Sequence, residues 1–197
     1  STDEGHSWTH LTEGIVSSLG VAPNGDVYAH SCNGSTCGFS RSSDNGVSWA
    51  PTIDPDSIPV LNAIAIRVNG TVFAGGKYDV YRSLDSGKTW SSSAVADSDE
   101  IVTALGLASG LVFAGVTDAV FPDLYGTLRR STDNGVTWSS FSPRWNSERI
   151  NGIVRNSLGY TFAATSAGIR RSTDFGATWT LTTGFNGPMS AIAINAS

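Results

Sequence analysis

Ser131-Thr132-Asp133-Asn134-Gly135-Val136-Thr137-Trp138 is one of five copies of an eight-residue pattern, Ser-x-Asp-x-Gly-x-Ser/Thr-Trp. The other copies begin at Ser1, Ser42, Ser83 and Ser172, and five of the six tryptophans close one: Trp8, Trp49, Trp90, Trp138 and Trp179. Such recurrence puts repeat architecture ahead of any other reading. The chemistry of one copy is that of a tight hairpin turn. Its Asp (Asp3, Asp44, Asp85, Asp133 or Asp174) accepts hydrogen bonds from backbone N–H groups inside the turn. Gly, two residues on, supplies a backbone conformation that a Cβ would penalise. The hydroxyls satisfy further turn groups, and the Trp anchors the next strand. Five equivalent turns arranged around a fold cannot meet at one point. These aspartates therefore read as structural, not as metal ligands or catalytic acids.

A second repeat lies between the boxes. Residues 15–22, 61–68, 101–108, 150–157 and 189–195 are alternating apolar stretches. The first four run into two-residue turns, Asn24-Gly25, Asn69-Gly70, Ser109-Gly110 and Leu158-Gly159, and Asn-Gly between alternating runs is a strong hairpin signal. A second strand follows each turn, a third enters the box, and a fourth starts at the Trp. One repeat is thus four antiparallel strands, A to D, over about 40 residues, the size of a propeller blade. No segment has helical periodicity. The expectation is an all-β propeller in a single domain spanning 1–197, with blades at about 14–54, 59–97, 98–143 and 144–185. Residues 1–13 (a box and a D strand) and 187–197 (an A strand) would combine into a partial fifth blade that protects sheet edges. The competing expectation is a segment of a larger propeller, or association with another chain; the start on the first residue of a box reads as processed or excised.

Composition narrows the partners. With 12 Lys+Arg against 17 Asp+Glu, the formal net charge is −5, which argues against a nucleic-acid surface. No apolar run approaches a membrane span. Cys32 and Cys37, the only cysteines, flank Asn-Gly-Ser-Thr. They read either as a disulfide closing a small loop, in an oxidising compartment, or as two free thiols. The three histidines show no metal-ligand spacing, and no cofactor is implied. Asn33, Asn69 and Asn195 each begin a glycosylation sequon.

The boxes resemble the Asp-box, or BNR, repeat of sialidase-type β-propellers, which also appears in xyloglucanases, sortilin-type receptors and photosystem assembly factors. The resemblance covers nearly the whole chain and implies the fold; enzymes and binding proteins share it, so it does not choose between them. Sialidases use an arginine triad, a Tyr/Glu nucleophile pair and an acid/base Asp. Here Arg41, Arg82, Arg130 and Arg171 each precede a box Ser, which reads as a scaffold position.

In an up-and-down blade the A–B and C–D connections share one face. Here that face carries only short turns and boxes. The irregular stretches fall on the B–C/D–A face: the Cys32–Cys37 loop, Asp54-Pro55-Asp56, Lys77-Tyr78-Asp79, residues 97–100, an insertion at 117–126, and residues 144–149. Variable loops on a rigid scaffold are where binding groups usually sit. Trp145, outside any box, reads either as a platform for a sugar ring beside Arg144, Asn146 and Arg149, or as a core residue between blades. Tyr125 and Phe121 carry the same two readings, and Tyr78 is a further binding candidate. Asp54, Asp56, Asp97, Asp99 and Glu100 would supply a glycoside hydrolase with its carboxylate pair; otherwise they are solvated acidic loops. The leading expectation is a secreted or extracytoplasmic, non-catalytic propeller that recognises a carbohydrate or protein. A glycoside hydrolase, or a protein-assembly scaffold, is the alternative.

Overall fold

The computed structural model describes residues 6–7, 15–33, 36–53, 61–97, 100–108, 110–118 and 125–194. They form four antiparallel sheets, each with its strands in chain order, and no helix occurs among them. Sheet one is β1 (Ile15–Val21), β2 (Val27–Asn33), β3 (Thr36–Ser42) and β4 (Ala50–Ile53). Sheet two is β5 (Ala63–Ile66), β6 (Val72–Gly75), β7 (Asp79–Ser83) and β8 (Ser91–Ala94). Sheet three is β9 (Glu100–Ala108), β10 (Leu111–Asp118), β11 (Tyr125–Ser131) and β12 (Ser139–Ser140), with β13 (Trp145–Asn146) also paired to β11. Sheet four is β14 (Ile150–Arg155), β15 (Thr161–Thr165), β16 (Gly168–Ser172) and β17 (Thr180–Asn186). The A-to-D order expected from the repeats is the order observed. The insertion is shorter than its sequence suggested. Thr117 pairs with Gly126, so both its ends are strand that lengthens β10 and β11; residues 119–124 lie outside the described residues.

The four described boxes share one hydrogen-bond plan. The buried first Ser accepts the N–H of the box Gly at 2.7–2.8 Å and donates to the Asp Oδ1 at 2.7–2.8 Å. The same Oδ1 accepts the N–H four residues on. Gly46, Gly87, Gly135 and Gly176 have φ of 83–89°, and the residue before each is also left-handed (Asn45, Ser86, Asn134, Phe175). These bonds stabilise the ionised carboxylate. The Ser48 hydroxyl and N–H hold Asp44 down at about 2, the Thr89 N–H and hydroxyl do the same for Asp85, and the Thr178 hydroxyl and N–H for Asp174. Asp133 is lowered likewise by Thr137. A carboxyl whose folded pKa lies below its unfolded value of about 3.9 contributes stability that is complete above that value and lost as pH falls through the folded one. The urea midpoint is therefore expected to fall between about pH 4 and pH 2, and Asp85→Asn should flatten that slope; an unchanged slope counts against the plan.

The sheets are joined face to face, with inner strands β1, β5, β9 and β14 neighbouring in that order. Small residues on one inner strand face branched ones on the next. A Cβ on Gly20 would lie 2.8 Å from Ile64, and one on Gly106 3.0 Å from the Ile153 Cβ. The boxes of sheets two to four lean back on the preceding sheet: Gly87 on Thr52 and Tyr28, Gly135 on Phe73, Gly176 on Phe141. Trp90 sets its ring edge-on to Phe39 at 5.4 Å, while Trp138 donates to Ser93 Oγ at 2.9 Å rather than to its own turn. The four described box tryptophans are only half-buried; they staple neighbouring sheets more than they fill a core. The arginines before the boxes do scaffold work of several kinds. Arg41 pairs with buried Asp26 at 2.7 Å, Arg82 donates to Asn134 O in the next box at 2.9 Å, and Arg130 lies over Phe141 at 4.9 Å.

Beyond β17, residues 189–194 carry no strand assignment, although the alternation led us to expect an A strand there. They have that strand's position, with no ladder partner among the described residues. Met189 N–H donates to Thr165 O at 2.9 Å, Asn151 Nδ2 donates to Met189 O at 2.8 Å, and Ile192 covers Gly152. Of the rest of the expected partial blade, residues 1–5, 8–13 and 195–197, Asp3 and Trp8 among them, lie outside the described residues.

Candidate functional site

Antiparallel order places the A–B turns and the boxes at one end of every sheet and the B–C and D–A connections at the other. At that second end of sheet three, register aligns a row of polar residues. Glu100 on β9 faces Asp118 on β10, Tyr125 on β11 is one residue beyond the Thr117–Gly126 pair, and Asn146 on β13 faces Tyr125. The Arg144 guanidinium lies over the Tyr125 ring at 4.0 Å. Burial pushes the Tyr125 hydroxyl pKa up, and the Glu100 charge and a hydrogen bond to Asp118 add to this; the phenol stays neutral across the physiological range.

Glu100 forms the floor of the row. It is 1% exposed, accepts the Asp97 N–H on Oε2 at 2.8 Å, and has Arg129 3.7 Å away. Its Oε1 is buried with no hydrogen-bond partner among the described residues. A buried carboxylate oxygen left this way is costly. Lys77 bridges to Ile101, beside Glu100, and its ammonium lies 4.8 Å above the Tyr78 ring. Tyr78 is left-handed (φ 70°), and its carbonyl accepts from both Val95 and Ala96, tying this corner to the connection that leads to Glu100.

The remaining candidates separate. Trp145 is 5% exposed, packs edge-on to Trp179 at 5.3 Å and carries Arg170 over its other side at 4.9 Å. It is a core residue, and the sugar-platform reading of it is corrected: pairing of β13 with β11 turns the indole inward. Arg144 and Arg149 stay exposed. Asp97 is exposed beside Arg129, while Asp54, Asp56, Asp99 and Phe121 lie outside the described residues. Cys32 and Cys37 form the disulfide and sit opposite each other across β2 and β3. The His30 ring lies within 4.8 Å of both sulfurs, but sulfurs bonded to each other offer no thiolate to a metal. Sequence reading missed the Glu148–Arg170 pair and the role of Arg129. For Arg129 on β11 and Arg170 on β16 the signal is strand parity; Glu148 lies in the connection between β13 and β14, where no such period applies.

No protein-family model and no curated protein matches the sequence. Solved structures do match. The extracellular domain of a one-component system from B. thetaiotaomicron superposes with a TM-score of 0.73 at 12% identity, covering 96% of this chain and 26% of that one. A chain of a nidogen/laminin complex gives 0.73 at 14% identity, covering 95% and 72%. The GH74 enzyme of Niastella koreensis gives 0.63 at 17% identity, covering 88% and 31%. The fold is a β-propeller. This propeller chain spans about a quarter of the first structure and under a third of the enzyme. At such identities the likeness carries the architecture alone, and propellers of both catalytic and binding proteins share it. Among the described residues no helix is long and apolar enough to cross a membrane.

Proposed function

We propose that this propeller is a non-catalytic recognition module that binds a protein ligand on its B–C/D–A face, centred on Lys77, Tyr78, Tyr125 and Arg144. The observation that carries the reading is the pair of cation-on-ring contacts, Arg144 on Tyr125 at the end of sheet three and Lys77 on Tyr78 at the same end of the neighbouring sheet two. Aromatic and arginine side chains held on a scaffold are the usual anchors of protein interfaces. A carbohydrate ligand is less well served: the indole outside the boxes is buried, and a guanidinium occupies one face of Tyr125. The disulfide supports a secreted or extracytoplasmic setting. Capture of a protein from an extracellular extract, lost in Tyr125→Ala/Arg144→Glu with the melting temperature unchanged, is the expected result. Undiminished capture by that variant, or a glycan-array signal in its place, overturns the reading.

Glycoside hydrolysis is the second reading, and one observation favours it. Glu100 and Asp118 are in register on adjacent strands with Tyr125 beside them, a spacing within reach of a paired-carboxylate mechanism. Against it, Glu100 is closed off by Arg129 and the Asp97 backbone. Release of phenol from an aryl glycoside, abolished by Glu100→Gln, would reverse the ranking of the two readings.

A further inference from the structure

The two ends of the sheet series carry the two halves of one interface. At two internal junctions, an inner strand offers glycine to large apolar residues of the next: Gly20 meets Ile64 and Ile66, and Gly106 meets Ile153. Turn and ladder register make Leu19 and Val21 of β1 the equivalents of Ile64 and Ile66. Leu19 and Val21 are 60% and 63% exposed, whereas Ile64 and Ile66 are half-buried and Ile153 is 5% exposed. The first sheet thus presents the large-residue half with no described residue covering it.

The segment that packs on the last sheet, residues 189–194, presents the small-residue half. Asn151 donates to Met189 O as Ser17 does to Leu61 O and Thr103 to Ile150 O. Met189 is therefore the equivalent of Leu61 and Ile150, Ile192 of Ile64, and Ala193 of Gly20 and Gly106. Ile192 uses its branched side on Gly152, and Ala191 and Ala193 are exposed on the other side. Beside them an apolar cavity of about 370 Å³ is lined by Phe162, Ile169, Thr182, Phe185 and Ile194. The equivalents of Phe162 and Ile169 in sheet one, Tyr28 and Phe39, are 1% and 2% exposed under the following sheet.

We propose that a second copy of this chain docks head to tail, its β1 face (Leu19, Val21) packing on Ala191 and Ala193 of the first copy. The occupant follows from continuity: the seam repeats the junction made by Gly20 and by Gly106 within the chain, small residue against large. Burying Leu19 and Val21 gives the driving force. The contact is heterologous, each copy using one end for one neighbour, so association continues until the series closes.

Sedimentation equilibrium on the whole chain tests this. The expected mass is 20.6 kDa at high dilution, rising to multiples of it with concentration. Leu19→Asp/Val21→Asp blocks one end and Ala191→Arg/Ala193→Arg the other, each weakening self-association by more than about tenfold through a buried charge. Mixing the two variants leaves one intact end on each, so a two-chain species that grows no further is expected. If the aspartates disturb folding, as read by far-ultraviolet circular dichroism, Leu19→Thr/Val21→Thr keeps strand propensity and should still weaken association. A wild-type mass that stays at one chain at every concentration overturns the proposal. So does self-association that survives in either blocked variant, or a mixture that stays monomeric.

Discussion

Gly176→Ala is expected to destabilise the protein by about 2–5 kcal/mol, the sum of a backbone and a packing effect. Gly176 has a φ of 85°, a conformation that L side chains rarely adopt. An added Cβ would also lie 2.1 Å from the Phe141 Cζ. The ring has no room to yield. It is wedged between Phe113 at 5.0 Å and Trp179 at 5.9 Å, with Arg130 over it at 4.9 Å. The two effects separate by experiment. Gly25 has nearly the same φ, 88°, but nothing within 4 Å of its would-be Cβ, so Gly25→Ala should show the backbone effect alone, about 1–2 kcal/mol. Urea unfolding of both variants measures the difference. Equal losses would mean that the box does not lean on the preceding sheet as described.

Arg170→Met is expected to destabilise by about 3–5 kcal/mol, because it leaves a buried carboxylate without its cation. Glu148 is 5% exposed and is gripped by Arg170 through both Nε, at 2.8 Å, and Nη2. Burial alone would push the Glu148 pKa up, yet the Arg170 hydrogen bonds prevail and hold it below the usual range. The pair therefore stabilises above the ordinary glutamate pKa of about 4.3 and loses that contribution as pH falls through the lowered value. The same guanidinium covers Trp145, so the substitution also loosens the third-to-fourth junction. Glu148→Gln/Arg170→Met should recover much of the loss, since no charge is then left buried. A single variant as stable as the wild type in urea would show that the pair is solvated, contrary to its burial.

These two sites mark where sequence reading succeeds and where it stops. Gly176 was legible because its box recurs, and a left-handed position between an Asp and a Trp asks for glycine whatever surrounds it. The expected strands, the disulfide, and the sorting of connections onto two faces follow from equally local rules. Trp145 was not legible: Arg-Trp-Asn-Ser-Glu-Arg looks like an exposed polar loop. A two-residue pairing of Trp145 and Asn146 with β11 decides which of these side chains turns inward. Nor did the run at 97–100 reveal that Glu100 is buried while Asp97 is exposed.

By itself the sequence determined the unit: eight-residue corners with hydrogen bonds closed inside them, alternating strands of period two, and four-strand sheets in chain order. Those features depend on atoms a few residues apart, so they can be read from spacing. Only the tertiary structure decided what meets across the sheets. It brought Glu100, Asp118, Tyr125 and Arg144 into one row, buried Trp145, and left Leu19 and Val21 bare at one end with Ala191 and Ala193 bare at the other. Such contacts depend on how one sheet is turned against the next, and that angle is set by the packing of residues far apart in the chain.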